Sequence, residues 1–346
     1  MDKLILLTDY KGRFGSKHDD RPYRSGMDLQ LLKGAFLDCG FEIEYVPFSN
    51  VNPAEGFWKG SVVLYTSSED PGLIYKQYIE DVVLSLTHKG AEVIPRFEFL
   101  RANNNKVFME LLRNMLPDHL RGNMLSYHFG TIEELEAKGR ELEYPVIVKG
   151  FYGAMGGNVF LAHDRNELFG IVKRKVTFKS SFRLRVREYI RQKKHLGYQR
   201  DSFYRGRFVV QRFIPDLKND WKVYFFGANA FVFYRPVFPE REFRASGGGY
   251  DNYRYGADAG APDGLLDFGW QIFRELRVPN ISMDIAWDGS NFYLLEFQCV
   301  YFGTAGILKR YSSECFVKDT SGWKAADNEG IIENEYAGSI RWFLNL

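Results

Sequence analysis

The chain has 346 residues, of which 45 % are apolar, 26 % charged and 16 % aromatic, with a net charge of +2. That length carries two or three domains with a large core, and the near-neutral balance gives no bulk-charge case for nucleic-acid or membrane binding. The odd, widely spaced Cys39, Cys299 and Cys315 exclude a disulfide framework, and the lack of any long apolar run or signal peptide predicts a reduced, cytoplasmic, soluble protein.

From the start of the chain, residues 4–8 read as a buried strand. A polar loop follows, carrying Lys11, Arg13, Lys17, Arg21 and Arg24. Residues 27–39 have helical periodicity and end at Gly40, a C-terminal cap. "FEIEYVPF" and "SVVLYTSS" read as strands, "IYKQYIEDVVLSLTHKG" as a helix, and "AEVIPRF" as a strand again. This alternation predicts a small parallel α/β domain over 1–100.

Past residue 105 the texture changes. "NKVFMELLRNML" is helical, "YPVIVKG" and "GNVFLAH" are strands around a glycine loop, and "RNELFGIVKRK" is a helix. Residues 173–207 form a strongly basic insertion, with a flexible cover over a polyanionic substrate and a solvated helical pair as its two readings. From residue 208 strands dominate: "RFVVQRFIP", "DWKVYFFG", "NAFVFYRPV", "ISMDIAW" and "NFYLLEFQC" are rich in β-branched and aromatic residues. The expected class is α/β followed by α+β, with further segments at 101–208 and 209–346.

Several polar residues interrupt this pattern in ways that suit chemistry. Lys149 ends an apolar strand, and Gly153, Gly156 and Gly157 let backbone N–H groups approach an anion. The lysine precedes the glycines, so this is neither GxxxxGK[ST] nor GxGxxG. Asp284 lies in an apolar strand. Glu296 and Gln298, two apart, project from one face of the next. Buried carboxylates are costly unless paired or metal-bound, and hard oxygen ligands suit Mg²⁺ held with phosphates. For Asp284 to share the face of Glu296, the connecting loop must be odd. The expectation is a loop over 288–290 with Gly289 in the left-handed region. The six histidines are scattered, and no Ser/His/Asp or Cys/His arrangement stands out.

The order Lys106, strand–Lys149–glycine loop, Gln211 strand, Asp284, Glu296-x-Gln298 resembles the ATP-grasp superfamily, over about residues 100 to 310. That resemblance implies an ATP-grasp fold with an N-terminal parallel α/β domain and two ATP-clamping lobes. It implies that Lys106 touches the α-phosphate and that Lys149 reaches the α- and β-phosphates. The lid Tyr152 to Gly157, with Gly153, Met155 and Gly156, would close over the β- and γ-phosphates and move while Lys149 stays in place. Gln211, Arg212, Phe213 and Ile214 match the adenine-binding linker, and Asp216 or Asp220 a ribose-binding carboxylate. Lys222 and Arg235 match phosphate contacts. Arg244, Ser246 and Gly247 match a loop aimed at the transferred phosphoryl group. Asp284, Glu296 and Gln298 fill the metal positions, with Gln298 a departure from the family's usual asparagine.

The implied reaction is ATP- and Mg²⁺-dependent ligation, in which a carboxylate becomes an acylphosphate and is joined to an amine. The cationic loop 10–25, with segments 66–70 and 95–99, is read either as holding an anionic substrate bearing carboxylate or phosphate or as a solvated surface loop, and the acceptor is read as a carboxylated sugar or glycan precursor. A kinase acting on a hydroxyl is the alternative, and a nucleotide-binding regulator a third reading. Nucleic acid and a membrane span are not expected among the partners; a homodimer is.

Overall fold

The computed structural model describes residues 2–17, 26–122, 124–151, 153, 157–238, 243, 245, 249 and 252–345. By contact the chain divides into two compact units. One comprises Met1–Asn103, Leu116–Gly122 and Lys218–Leu346; the other comprises Asn104–Met115 and Asn123–Leu217.

The first unit opens with β1 (Asp2–Thr8), α1 (Leu29–Asp38), β2 (Phe41–Pro47), β3 (Val62–Tyr65), α2 (Ile74–Lys89), β4 (Glu92–Ile94) and α3 (Phe97–Ala102). The four strands form a parallel sheet in the order β2-β1-β3-β4, as strand–helix alternation requires. Asp28 caps α1, its carboxylate accepting from Gln30 N and Leu31 N at 2.8 and 3.0 Å. Gly40 and Gly90 close α1 and α2 at φ +89° and +90°, where a glycine costs least.

The second unit starts with α4 (Lys106–Asn114). The chain returns briefly to the first unit at α5 (Asp118–Arg121), then builds β5 (Ser126–Thr131), α6 (Ile132–Lys138), β6 (Val146–Gly150), β7 (Val159–Ala162), α7 (Arg165–Ile171), β8 (Phe178–Lys179), α8 (Phe182–Lys194) and β9 (Tyr204–Arg212). The sheet is antiparallel, in the order β5-β9-β6-β7, with β8 on β9. Val146, Val148, Phe208 and Val210 point to one face and share a core with Leu135 of α6 and Leu168 of α7. The opposite face carries Ile147 and Lys149, which stand across from Gln211 and Val209 of β9. Helix α4 covers that face: Arg113 reaches Ser126, the register partner of Gln211.

The rest of the first unit is β10 (Asn219–Phe226), β11 (Asn229–Pro236), β12 (Arg254–Tyr255), α9 (Leu265–Leu276), β13 (Asn280–Trp287), β14 (Phe292–Gln298), β15 (Glu314–Asp319), β16 (Gly322–Asp327) and α10 (Ile332–Leu344). The sheet runs β14-β13-β10-β11-β15-β16, with β12 on β11. Gly227 and Ala228 make the two-residue turn joining Phe226 to Asn229. One face buries Val223, Phe225 and Met283 under α9, with Phe225 stacked on Phe273 at 5.2 Å. On the other face Tyr224, Phe226, Phe231 and Phe233 share a core with Leu4 and Leu6 of β1, Phe36 of α1 and Ile340 of α10. Both ends of the chain therefore meet in one hydrophobic cluster. The sequence reading placed no helix after residue 208, yet α9 and α10 both lie there, and their apolar sides close the two faces of this sheet.

Candidate functional site

The face of β10 and β13 that buries Tyr224 and Phe226 turns polar at its other end. Strand alternation puts Asp220, Lys222, Tyr224 and Phe226 on the same side. Lys222 stands opposite Asp284 in the β10–β13 ladder, and Asp284 stands opposite Glu296 in the β13–β14 ladder. Arg235 stands opposite Asp220 on β11. Five charged side chains therefore meet on adjoining strands.

Their contacts are specific. Arg235 donates from Nε and Nη2 to the two oxygens of Asp220 at 2.6 and 2.7 Å, a bidentate pair. The same Nη2 lies 2.9 Å from Oδ2 of Asp284, and Lys222 Nζ donates to Oδ1 of Asp284 at 2.8 Å. Burial raises the Asp284 carboxyl, but the attraction of Arg235 and Lys222 outweighs it, and Asp284 is held well below its ordinary value. Burial also raises Asp220, there helped by the neighbouring Asp284 charge against the pull of Arg235. Burial alone would lower Arg235, yet the two aspartates push it well up, so this guanidinium stays charged.

The β13–β14 hairpin corrects one expectation. Trp287 pairs with Phe292, so the loop is 288–291, an even number of residues and not the odd loop expected. Gly289 does take a positive φ, +99°. An even loop alone would turn Glu296 to the far face. Between Asp284 and Ile285 the register shifts: Ile285 pairs with Leu294, Asp284 with Glu296, and Leu295 is the extra residue of a β-bulge. The bulge restores Glu296 to the face of Asp284. Gln298 follows on that face, opposite Ser282.

This donor set fits a magnesium ion. Among the described residues no three His, Cys, Asp or Glu side chains group closely enough to hold a metal by themselves. Mg²⁺ is commonly held by one or two carboxylates with phosphate oxygens and waters completing the shell. Asp284 is ionised, and each of its oxygens has a lone pair beyond the one used by Lys222 or Arg235.

In the second unit, Lys106 and Lys149 are both buried. They are 43 positions apart, but the backbone N–H of Lys106 donates at 2.9 Å to the carbonyl of Phe151, two residues past Lys149. The glycine loop closes where Gly150 N donates to Asn158 O at 2.9 Å, and Gly153 within it sits at φ +121°. Arg207 lies over the Phe151 ring at 4.1 Å and braces its base. Gln211 is 2 % exposed, and its buried Nε2 has no hydrogen-bond partner among the described residues. A buried donor left unmade is costly, and a base edge offers the acceptor it lacks. Ile214 is buried, and Phe213 is partly exposed beside it.

The structure distributes the remaining expected residues unevenly. Tyr152, Met155, Gly156, Arg244, Ser246 and Gly247 lie outside the described residues, as do Arg21 and Arg24. Gly157 follows as the first turn residue before β7. Asp216 is exposed at φ +58°, whereas the carboxylate of Asp220 is committed to Arg235. Lys17 donates at 3.0 Å to Glu333, a fully buried carboxylate, and Arg96 pairs with Glu98 at 2.6 Å. Lys11 lies over the Tyr10 ring at 5.2 Å.

Sequence reasoning missed the support behind Gln211. Glu110 and Arg113, one helical turn apart on α4, form a fully buried ion pair with Nε to Oε1 at 2.7 Å. Arg113 also donates to Met124 O and Ser126 Oγ, both at 3.0 Å. The i, i+3 spacing of opposite charges was the available signal.

No protein-family model matches the sequence, and no curated protein is similar to it. Solved structures are similar over the whole chain. One is the D-cycloserine synthetase DcsG, with 12 % identity and a TM-score of 0.54, covering 98 % of this chain and 99 % of that one. Another is the macrocyclase MdnC from Microcystis aeruginosa MRC, bound with its precursor peptide MdnA. It has 10 % identity and a TM-score of 0.50, covering 99 % of this chain and all of that one. The chain has the ATP-grasp fold, a four-stranded parallel sheet joined to antiparallel sheets.

Proposed function

We propose that this chain is an ATP- and Mg²⁺-dependent ligase that activates a carboxylate as an acylphosphate and joins it to an amine. The observation that carries this reading is the direct opposition of Asp284 and Glu296 on one sheet face, flanked by Lys222 and Arg235. Two facing carboxylates beside two fixed cations are what a transferring phosphoryl group and its metal require. Of the two structural neighbours, one is named a synthetase and the other a macrocyclase. Both names denote bond formation and favour ligation over phosphorylation of a hydroxyl.

Lys106, Lys149 and the loop with Gly153 and Gly157 take the phosphates. The Gln211 amide, the backbones of Arg212 and Ile214, and the Phe213 ring take the adenine. Asp216 is the better ribose partner, because Asp220 is occupied by Arg235. Asp284, Glu296 and Gln298 would hold Mg²⁺, which would neutralise charge on the phosphates. Arg244 and Ser246, from the glycine-rich 243–249 segment, complete the phosphoryl-transfer set.

In the first step an oxygen of the substrate carboxylate bonds to the γ-phosphorus, while the bond from that phosphorus to the β,γ-bridging oxygen breaks and ADP leaves. In the second, the amine lone pair attacks the acyl carbon, inorganic phosphate leaves with the bonding electrons, and the nitrogen loses a proton. The protein's share is position and charge. Arg235 is locked by Asp220 and does not need to reorganise. Burial pushes the Cys299 thiol well up, the Cys315 thiol to about 11 and the Cys39 thiol up, which disfavours each of the three as a nucleophile. The acceptor is proposed to be a carboxylated sugar or glycan precursor, held by the cations and aromatic ring at Tyr10, Lys11 and Arg13.

The test is ADP release with a panel of carboxylates, with and without amines, followed by mass spectrometry of the products. Amine-dependent amide formation is expected. A stable phosphorylated product with no amine requirement would replace this reading with a kinase. Bound ATP with no ADP under any condition would replace it with a regulator.

A further inference from the structure

Helix α8 is amphipathic in the wrong sense for a surface helix. Its inward side presents Glu188, 1 % exposed, held by Arg191 Nη1 at 2.8 Å and by the Tyr198 hydroxyl. Arg185 also turns in, packing over Phe203 at 5.2 Å and donating to Ser180 O at 3.2 Å. The outward side presents Phe182, Val186, Tyr189 and Ile190, which are 80 %, 41 %, 60 % and 45 % exposed. Their spacing of four, three and one residues is a single helical stripe. Phe178 before the helix and Leu196 after it are exposed as well. A contiguous patch of this kind on a soluble face marks an interaction surface.

The charge around the stripe is one-sided. Residues 173–207 hold thirteen lysines and arginines against Glu188 and Asp201, although the whole chain nets only +2. The rest of the molecule is therefore net acidic, and the positive charge is concentrated here. Arg183 and Arg187 follow Phe182 and Val186 by one residue, and Lys194 lies along the same edge; all three are exposed. The occupant must be anionic and must also accept aliphatic side chains. Val186, Ile190 and Leu196 gain nothing from a nucleic acid, whose contacts are ionic and stacking. A single convex helix whose apolar side chains diverge offers no groove for a second folded surface. It suits a fluid apolar boundary beneath a layer of negative headgroups.

We propose that α8 docks this protein on an anionic lipid surface, with Phe182, Val186, Tyr189 and Ile190 inserted among the acyl chains and the flanking cations on lipid phosphates. No helix among the described residues is long and apolar enough to cross a membrane, so the attachment is peripheral and reversible. It is independent of the catalytic reading above.

Flotation of the full-length chain with lipid vesicles tests it. The chain should float with phosphatidylcholine vesicles containing about one third phosphatidylserine and stay behind with pure phosphatidylcholine, more weakly as salt is raised. The double variant Phe182→Ser/Ile190→Ser should lose at least about tenfold in apparent affinity, as should Arg187→Glu/Lys194→Glu. Both should keep the wild-type melting temperature and ATP turnover, because these side chains are exposed. Absence of flotation with either lipid would overturn the proposal. So would an apolar double variant that floats like wild type, since the stripe would then play no part. Binding to a glutamate-rich peptide in place of vesicles, or dimer loss in the apolar variant without vesicle binding, would reassign the surface to a protein partner.

Discussion

Asp284 and Glu296 stand directly across from each other in the β13–β14 ladder, even though the loop between their strands has even length. The bulge at Leu295 makes this possible. The relation puts two carboxylates side by side, next to Lys222 and Arg235, and the first two predictions follow from it.

Replacing Glu296 with alanine removes one of the two facing acids and leaves the other with its cation partners. Turnover should fall by at least about a hundredfold, the scale of losing one preorganised electrostatic contact. Glu296 is only partly buried, so the melting temperature should move by a few degrees at most. Full activity in Glu296→Ala, measured as ADP release, would remove Glu296 from the metal set.

Asp284 should matter to stability as well as to turnover. Without it, Lys222 and Arg235 lose a shared, largely enclosed partner, and Asp284→Ala should cost about 2–3 kcal/mol in denaturant unfolding. The folded carboxyl lies below its ordinary value of 3.8, so between the two values the unfolded chain binds more protons than the folded one. Its contribution is therefore complete above the ordinary value and is lost as pH falls through the folded value. The stability gap between wild type and Asp284→Asn should be flat from about pH 5 to 8 and narrow below about pH 4. A gap that widens on acidification would contradict the charge state assigned here.

Among the described residues Gln211 makes no hydrogen bond through its buried Nε2, so its amide is expected to contribute little to folding. Gln211→Leu, close in volume, should leave unfolding stability unchanged or slightly raised. It should also weaken ATP binding by about tenfold, the loss of one hydrogen bond to the base. Titration calorimetry with ATP beside a thermal melt separates the two effects. A destabilised variant with wild-type ATP affinity would make Gln211 a structural residue.

Gly306 is a purely steric requirement. A Cβ built there would lie 1.9 Å from Cζ of Phe233, a fully buried ring in the shared core of the first unit. Gly306→Ala should destabilise by about 1–3 kcal/mol through overpacking. Combination with Phe233→Leu should recover part of the loss. An unchanged melting temperature in the single variant would show that the ring has room to move.

Much of the fold was legible because its signals are local. Alternation gave β2, aromatic and β-branched content gave β14, helical spacing gave α1, α2 and α4, and the glycines after α1 and α2 marked their ends. The strand-end Lys149 with glycines behind it was equally plain. What escaped the reading depended on partners remote in the chain. The helices α9 and α10 were lost among aromatic-rich strands, because a short apolar run does not declare its period until it meets the surface it covers. The pairing of Glu110 with Arg113 behind Gln211 was within reach, as the two are three residues apart on one helix.

The sequence by itself determined the order of the chemical groups and which of them share a strand face: Lys106, Lys149, Gln211, Asp284, then Glu296 with Gln298. Periodicity is a property of neighbouring residues, so composition and spacing carry it. Only the tertiary structure decided how the strands register. The bulge at Leu295 turned an even hairpin into a facing carboxylate pair. Cross-strand contacts 62 residues apart tied Asp284 to Lys222, and the bidentate hold of Arg235 withdrew Asp220 from other work. The outward turn of the apolar stripe on α8 was also decided there, because a helix shows which side it buries only when packed. A one-residue shift in register exchanges the two faces of a strand, and nothing local to Glu296 records which face it will occupy.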